Sequence, residues 1–215
     1  MNNATLEKEV KFYITNLTAL KDRLIAIGAV QTQPRTRELN YRFDTPDLKL
    51  SRNGQALRLR QDNRAILTFK GPSSLENGVR VRPEYEVVVD DLVSARAIFE
   101  GLGYIQTVCY EKWRAVYQYN GLEITLDELP YGNFTEIEGV DTTAIQTTAR
   151  VLALDWEARI QGSYLELFDR VKKKRGLTLS DLTFNAFSSI FVTWQDLGVK
   201  PADTPAFLYS KDTYP

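Results

Sequence analysis

The feature that most constrains this chain is an alternation of charged residues. It begins at Glu7-Lys8-Glu9-Val10-Lys11 and returns in one predicted strand after another. Side chains two apart on a β-strand share a face, so Glu7, Glu9 and Lys11 point one way. Leu6, Val10 and Phe12 point the other way, and only Lys8 breaks the pattern. Residues 55–61 repeat it with Leu57-Arg58-Leu59-Arg60, and 65–70 with Leu67-Thr68-Phe69-Lys70. Residues 79–89 carry Arg80, Arg82, Glu84 and Glu86 on one face, and 104–119 carry Lys112 and Arg114. Residues 122–128 end in Asp127, and the stretch 132–139 holds Glu136-Ile137-Glu138.

An ordinary two-layer sheet protein could turn these faces to water. Exposed strand faces usually mix in Thr, Ser, Gln and Asn, however, whereas the positions here are repeatedly Glu, Arg or Lys. Like charges two apart are unfavourable unless opposite charges lie across from them. Closing the strands into a barrel supplies that opposition. The charged faces then line a hydrated lumen, because unpaired buried charge is too costly for a dry one. The apolar faces lie outside under helices. Converging Arg and Lys suit a polyanion, and clustered carboxylates suit a divalent cation that bridges to it. A metal–triphosphate complex satisfies both halves.

Other features set limits. Histidine is absent, which removes His-based triads and His-ligated zinc. Any metal must be held by oxygen, which favours Mg, Mn or Ca. A single cysteine, Cys109, excludes an internal disulfide framework. The net charge of −1 gives no overall bias toward nucleic acid or an anionic membrane. No apolar run of about 18 residues is present, and the start lacks the basic and apolar regions of a secretion signal, so the expected setting is the cytoplasm. The phosphate loop Gly-x-x-x-x-Gly-Lys-Ser/Thr is also missing.

Between the strands, helices are predicted over 17–27, 91–102, 142–154 and 163–174 from the spacing of their apolar residues, two of them followed by Gly28 and Gly103. Residues 29–43 read as a long strand bent near Pro34, Asp44-Thr45-Pro46-Asp47 as a turn into a short helix, and 71–78 as a loop. From Leu177 the chain has a helical look to about Leu197, with Phe184, Phe187, Phe191 and Trp194 as a core or dimer face, then a Pro-containing arm. The expected division is a tunnel domain over 1–175 with a helical extension, 176–215, packed on it.

Taken together, these motifs resemble the CYTH group, the triphosphate tunnel metalloenzymes. Glu7-x-Glu9-x-Lys11 is similar to its N-terminal signature. The resemblance continues through Asn40-Tyr41-Arg42-Phe43-Asp44-Thr45, Arg58 and Arg60, Lys70, Arg82-x-Glu84-x-Glu86, Lys112-x-Arg114, Asp127 and Glu136-Ile137-Glu138, and Ser163-Tyr164-Leu165-Glu166-Leu167 looks like its C-terminal helix. The resemblance implies an α+β fold, an eight-stranded antiparallel β-barrel with charged lumen and outer helices. It also implies Mg2+ or Mn2+ and cleavage of a triphosphate.

Carried over by position, Glu7, Glu136 and Glu138 would hold one metal, and Glu9, Glu84 and Glu86 a second that activates water. Asp127 would be an acidic ligand or water-orienting group. Lys11, Arg58, Arg60, Lys70, Arg82, Lys112 and Arg114 would grip phosphate. Lys172, Lys173 and Lys174 are candidates for a lysine that plugs the tunnel, though such a helix-end cluster is more often a solvated face. Inorganic tripolyphosphate, a nucleoside triphosphate and thiamine triphosphate all remain open as substrates, with Tyr41, Tyr131 and Phe134 as stacking candidates. The alternatives are a class IV type adenylyl cyclase, a non-catalytic polyphosphate-binding module, and a sheet protein with a charged exterior. The expected partner is a triphosphate-containing small molecule, with no nucleic acid or membrane and with a homodimer open.

Overall fold

The computed structural model describes residues 5–204. Its strands are β1 (Thr5–Ile14), β2 (Val30–Asp44), β3 (Ala56–Gln61), β4 (Ala65–Lys70), β5 (Ser74–Glu76), β6 (Val79–Val89), β7 (Ile105–Tyr119), β8 (Leu122–Leu129) and β9 (Gly132–Glu138). The helices are α1 (Leu17–Ala26), α2 (Lys49–Arg52), α3 (Leu92–Gly101), α4 (Thr142–Val151), α5 (Tyr164–Arg175) and α6 (Trp194–Leu197). Eight strands pair antiparallel in the order β1-β9-β8-β7-β2-β3-β4-β6, and β6 pairs again with β1. The sheet is thus a closed ring, as the charge alternation requires. β6 makes the closure by offset pairing. Its residues 80–84 face β1, and its residues 84–89 face β4 on the other edge. Such stagger accompanies strand tilt in a barrel.

The outer faces are apolar. Val10, Phe12 and Ile14 of β1, with Ile124 and Ile137, pack under Leu20 and Leu24 of α1 and Ile145 and Ala149 of α4. α3 sets Ala95 and Phe99 on Phe43, Leu57 and Leu59. These helices start where side-chain oxygens cap them: Asn16 for α1, Asp91 for α3 and Asp141 for α4. Leu6, expected under a helix, is instead half exposed and does not join the cluster around Val10, Phe12 and Ile14.

Inside the ring the alternation changes character along its length. Beyond Lys11, Asp127 and Glu136, the next positions of the same period are Tyr13, Leu129 and Phe134. These pack with Tyr164, Leu167 and Phe168 of α5 into an aromatic plug. Gly132 makes the neighbouring β8–β9 turn possible. Its φ is +148°, and a Cβ there would lie 2.7 Å from the Tyr13 ring. α5 therefore closes this end of the ring. It is held by a capping box between Ser163 and Glu166 and ends at left-handed Gly176.

Three stretches differ from expectation. The predicted bend near Pro34 is a pair of register shifts inside one continuous strand, β2. The predicted loop over 71–78 holds the short strand β5 on the edge of β6. The predicted helix from 177 to 197 exists only as α6. The reason lies in the barrel wall. β8 pairs with β7 only from Trp113 onward, which leaves the edge of β7 before it without a strand partner on that side. Leu182 fills the gap: its N–H donates to the Cys109 carbonyl, and its carbonyl accepts from the Glu111 N–H, both at 2.9 Å. Asp181 accepts from the Cys109 N–H at 2.7 Å. Backbone groups committed to a strand edge cannot also serve a helix. Of the four aromatics in this stretch, Phe187 is buried in the plug and Phe191 is 81% exposed, so they do not share one face.

The end of the described chain is tied to the end of β1 and the start of α1. Ala202 donates to the Tyr13 carbonyl, and the Asp203 carboxylate accepts from the N–H groups of Thr15 and Asn16. The remainder of the predicted arm lies outside the described residues.

Candidate active site in the barrel lumen

Every residue expected to hold metal or grip phosphate, except Asp127, lines one cavity of about 410 Å³ inside the ring. Glu38, Arg42, Arg80, Tyr110, Glu123 and Tyr164 line it too. The cavity has three chemical regions.

The first is acidic. Oxygens of Glu7, Glu84 and Glu138 lie within 4.8 Å of one another, brought together because β1 sits between β6 and β9 in the closed ring. Glu7 is nearly fully buried. It accepts from Lys70 at 2.5 Å and from Arg82 at 2.8 Å, and Lys70 also reaches Glu84 at 3.1 Å. Arg82 extends to Glu9 at 3.6 Å. Burial works to raise the Glu7 carboxyl, yet Lys70 and Arg82 hold it at about 2. Glu84 and Glu138 go the other way. Burial pushes Glu84 up to about 7 even against Lys70, with Glu7 and Glu86 adding to the rise. Burial, with Glu7 beside it, pushes Glu138 to about 8. Two carboxylates that resist ionisation beside a third that is ionised make a site short of positive charge.

The second region is basic. The Arg58 Nη2 donates to Thr68 at 3.0 Å and to Glu86 at 3.2 Å, and the Arg60 Nε lies 3.3 Å from Asp62. The Nε atoms of Arg42 and Arg58 are nevertheless buried without an acceptor, and that of Arg60 meets only the Asp62 carboxylate.

The third region lies against the plug and is saturated. Arg114 forks onto Asp127 at 2.6 and 2.5 Å and reaches Glu136 at 2.5 Å. Lys11 meets Glu136 at 2.8 Å. Lys112 lies 3.4 Å from both Asp127 and Glu38. The Tyr164 hydroxyl donates to Asp127 at 2.7 Å, and its ring faces the Lys11 ammonium at 4.3 Å. Burial works to raise the Glu38 carboxyl, but Lys112, Arg114, Arg60 and Arg58 keep it at about 2. Asp127 therefore sits behind the cavity wall as the anchor of Arg114 and Tyr164, with both oxygens engaged.

Several expectations are corrected here. Tyr131 and Phe134 belong to the buried plug, and Tyr41 lies on the outer face beneath Arg96. None of the three lines the cavity. Lys172 pairs with Asp169, and Lys174 donates to the Gln195 carbonyl, so neither plugs the lumen; Lys173 is exposed. The α5 residues that line it are Tyr164 and Leu165, at the start of the helix. Glu38 and Arg42 were missed although they follow the same period-two rule on β2. Leu39 and Tyr41 between them, and Asn40 among them, diluted the charge signal.

The unequal carboxyl groups predict a pH effect. Glu84 and Glu138 titrate higher in the fold than their ordinary 4.5. Their stabilising contribution is complete below that value and is lost as pH rises through about 7 to 8. Glu7 and Glu38 are depressed, so their contribution is present above 4.5 and lost only as pH falls toward about 2. The metal-free protein should therefore lose several degrees of melting temperature between about pH 5 and pH 8. Millimolar Mg2+ or Mn2+ should flatten the slope by binding the ionised carboxylates. A profile in EDTA that is level across this range would contradict the acidic cluster.

Comparison with known proteins agrees with the geometry. Adenylate cyclase CyaB of Aeromonas hydrophila is 26% identical over 160 residues, covering 72% of this chain and 76% of that protein. A Vibrio parahaemolyticus structure described as a candidate adenylate cyclase superposes with a TM-score of 0.69 at 24% identity, covering 78% of this chain and 99% of that one. A Hippeastrum protein, named as a candidate adenylyl cyclase and reported to have a dominant triphosphatase activity, superposes with a TM-score of 0.57 at 20% identity over 80% and 97% of the two chains. The CYTH domain profile matches residues 5–175. With that match spanning most of the sequence and the charged ring in place, the chain belongs to the CYTH domain family.

Proposed function

We propose that this protein is a divalent-metal-dependent hydrolase of triphosphate substrates. The observation that carries the reading is the opposition, across one lumen, of a carboxylate cluster short of positive charge and guanidinium donors short of acceptors. Glu7, Glu84 and Glu138 fit Mg2+ or Mn2+, since they offer only oxygen ligands close enough to share one cation. A cation held there supplies positive charge against phosphate oxygens and acidifies water. Arg58 and Arg60 receive the phosphate oxygens, and Lys70 and Arg82 keep Glu7 ionised and oriented. Glu9 takes a proton from the attacking water as its oxygen bonds to phosphorus. The bridging P–O bond breaks, and its electron pair leaves on diphosphate, whose charge the lumen bases offset.

The second reading is cyclisation of ATP, with the ribose hydroxyl in place of water. Its support is the name of the Aeromonas relative. Against it, the aromatic side chains lining the cavity among the described residues are Tyr110 and Tyr164, and both are buried. Neither offers a free face for a base.

The test is one incubation of the protein with Mg2+ or Mn2+ and, in turn, tripolyphosphate, ATP and thiamine triphosphate, with products separated. Phosphate release is expected, and cyclic AMP with diphosphate would replace the first reading by the second. Glu9→Gln should cut turnover by about 10²-fold or more with the melting curve retained. A variant that keeps wild-type rates would remove Glu9 from the chemistry.

A further inference from the structure

A second cavity, of about 480 Å³, lies outside the lumen at the plugged end of the ring. One side of it belongs to the barrel: Tyr13 of β1 and the β8–β9 turn from Pro130 to Asn133. The other side is made by residues 190–195, at the start of α6, which lie beyond the stretch that the CYTH domain profile matches. Most of the lining is apolar or aromatic. Tyr131 and Val192 are buried there, but Phe191 is exposed. A large apolar side chain left open beside an apolar hollow marks a surface that another group covers. The described chain ends close by. Tyr13 faces Phe134 of β9 on one edge and Pro201 on the other, where 201–203 run parallel to β1 toward the plugged end. Ala202 donates to the Tyr13 carbonyl, and Asp203 accepts from the Thr15 N–H. Ile14 faces Asn133 of the cavity wall. The exit at Thr204 is therefore about two strand spacings, or about 10 Å, from that wall. Residues 205–215 follow, with the apolar run Ala206-Phe207-Leu208-Tyr209 near their start. A stretch of that length reaches up to about 36 Å.

We propose that this cavity is the docking site of the chain's own C-terminal segment, with the side chains of Phe207, Leu208 and Tyr209 seated against Tyr131, Phe191 and Trp194. Three observations favour that occupant over a separate molecule. The segment departs beside the cavity, so tethering gives it an effective concentration on the order of millimolar. The cavity has room for a few side chains, and the segment brings an apolar run of that size. Both the segment and one wall of the cavity belong to the extension beyond residue 175. Docking also reaches the plug. The Tyr131 hydroxyl donates to the Tyr164 carbonyl at 2.7 Å, and the Tyr164 hydroxyl holds Asp127. The segment thus adds an outer layer to the group that closes the ring. Its docking is independent of the reaction that the lumen performs.

The experiment titrates a fluorescently labelled peptide of residues 205–215 with three full-length proteins and follows its anisotropy. They are the wild type, a tail variant carrying Phe207→Ser, Leu208→Ser and Tyr209→Ser, and the tail variant with Phe191→Asp added. In the wild type the tethered segment competes for the cavity, and in the tail variant it does not. The tail variant should therefore bind the peptide at least about tenfold more tightly than the wild type. Adding Phe191→Asp should weaken that binding by about tenfold or more, the range for burying one aromatic side chain. Equal affinity of wild type and tail variant, absence of binding to both, or indifference to Phe191→Asp each overturns the docking. Sedimentation of the wild type tests a second copy as occupant: a dimer that Phe191→Asp dissolves overturns the proposal in favour of another chain. A single change in the otherwise intact chain gives a second measure if the tail variant does not fold. Tryptic cleavage after Lys211 should be at least about fivefold faster in Phe191→Asp than in the wild type, since undocked termini are readily nicked. Equal cleavage rates overturn the docking.

Discussion

Glu138→Gln is expected to lower metal-supported phosphate release from tripolyphosphate by at least about a hundredfold and, in the same protein, to raise the melting temperature measured without metal. The two effects have one origin. Glu138 is held to about 8 by burial and by Glu7, so at neutral pH the fold carries a carboxyl group that it disfavours in ionised form. Such a group costs stability in the empty lumen, and a tenfold change in its proton affinity on folding corresponds to about 1.4 kcal/mol. The amide keeps the shape and removes the charge, and a gain of about 5 °C at pH 8 is a moderate expectation for a chain of this size. The same change removes one of three ligands from the cation site. Even residues that only orient metal ligands are worth about 10–100-fold. A phosphate-release assay and a thermal melt in EDTA suffice. Lower stability together with retained activity would mean that Glu138 is an ordinary structural acid.

Arg114→Met is expected to have the largest effect on stability. Arg114 is the hub of the saturated region, forked onto Asp127 and joined to Glu136. Without it, Asp127 and Glu136 keep only Lys112, Lys11 and the Tyr164 hydroxyl. Removing one partner from a buried ion-pair network costs about 3–5 kcal/mol, because the remaining charges stay buried. For a chain of this length that corresponds to a fall in melting temperature of about 10 °C or more. The sign with pH follows from Glu38 and Glu136, both held below the ordinary carboxylate range in part by Arg114. Stabilisation from depressed carboxyls is present above pH 4.5 and fades as pH falls toward their folded values. The gap between variant and wild type should therefore stay level from about pH 7 to about pH 4.5 and narrow below that in urea unfolding. A loss under about 1 kcal/mol at neutral pH would show that Arg114 contributes binding charge without holding the wall together.

The period-two alternation made most of the barrel legible. It placed the charged faces of β1, β3, β4, β6, β7 and β9 inward before any pairing was known, since a face of alternating charges has few other places to go. It could not show which acids meet. Glu7 joins Glu84 and Glu138 because the closed ring sets β1 between β6 and β9, while Glu136, on the same strand as Glu138, lies two residues deeper and is taken by Lys11 and Arg114. The tail was misread for a different reason. Its aromatic spacing suits a helix, but an unfilled strand edge on β7 bound its backbone first. Tyr164 carried no signal as a lumen residue, because a tyrosine among Leu165 and Leu167 reads as core until its hydroxyl is seen on Asp127.

The bonds that Leu182 makes to β7, and those of Ala202 and Asp203 to the end of β1, have a consequence for the order in which the barrel can form. The wall segments they finish adjoin Tyr110, Lys112 and Lys11, residues made much earlier during synthesis. Closure of β1 onto β9 already awaits a partner more than a hundred positions later. The final clasp awaits residues later still. On the ribosome, the nascent chain therefore emerges with helices and hairpins available locally and the ring still open, and its lumen acquires its full set of charges in fixed positions only after residues 182 to 203 have been made.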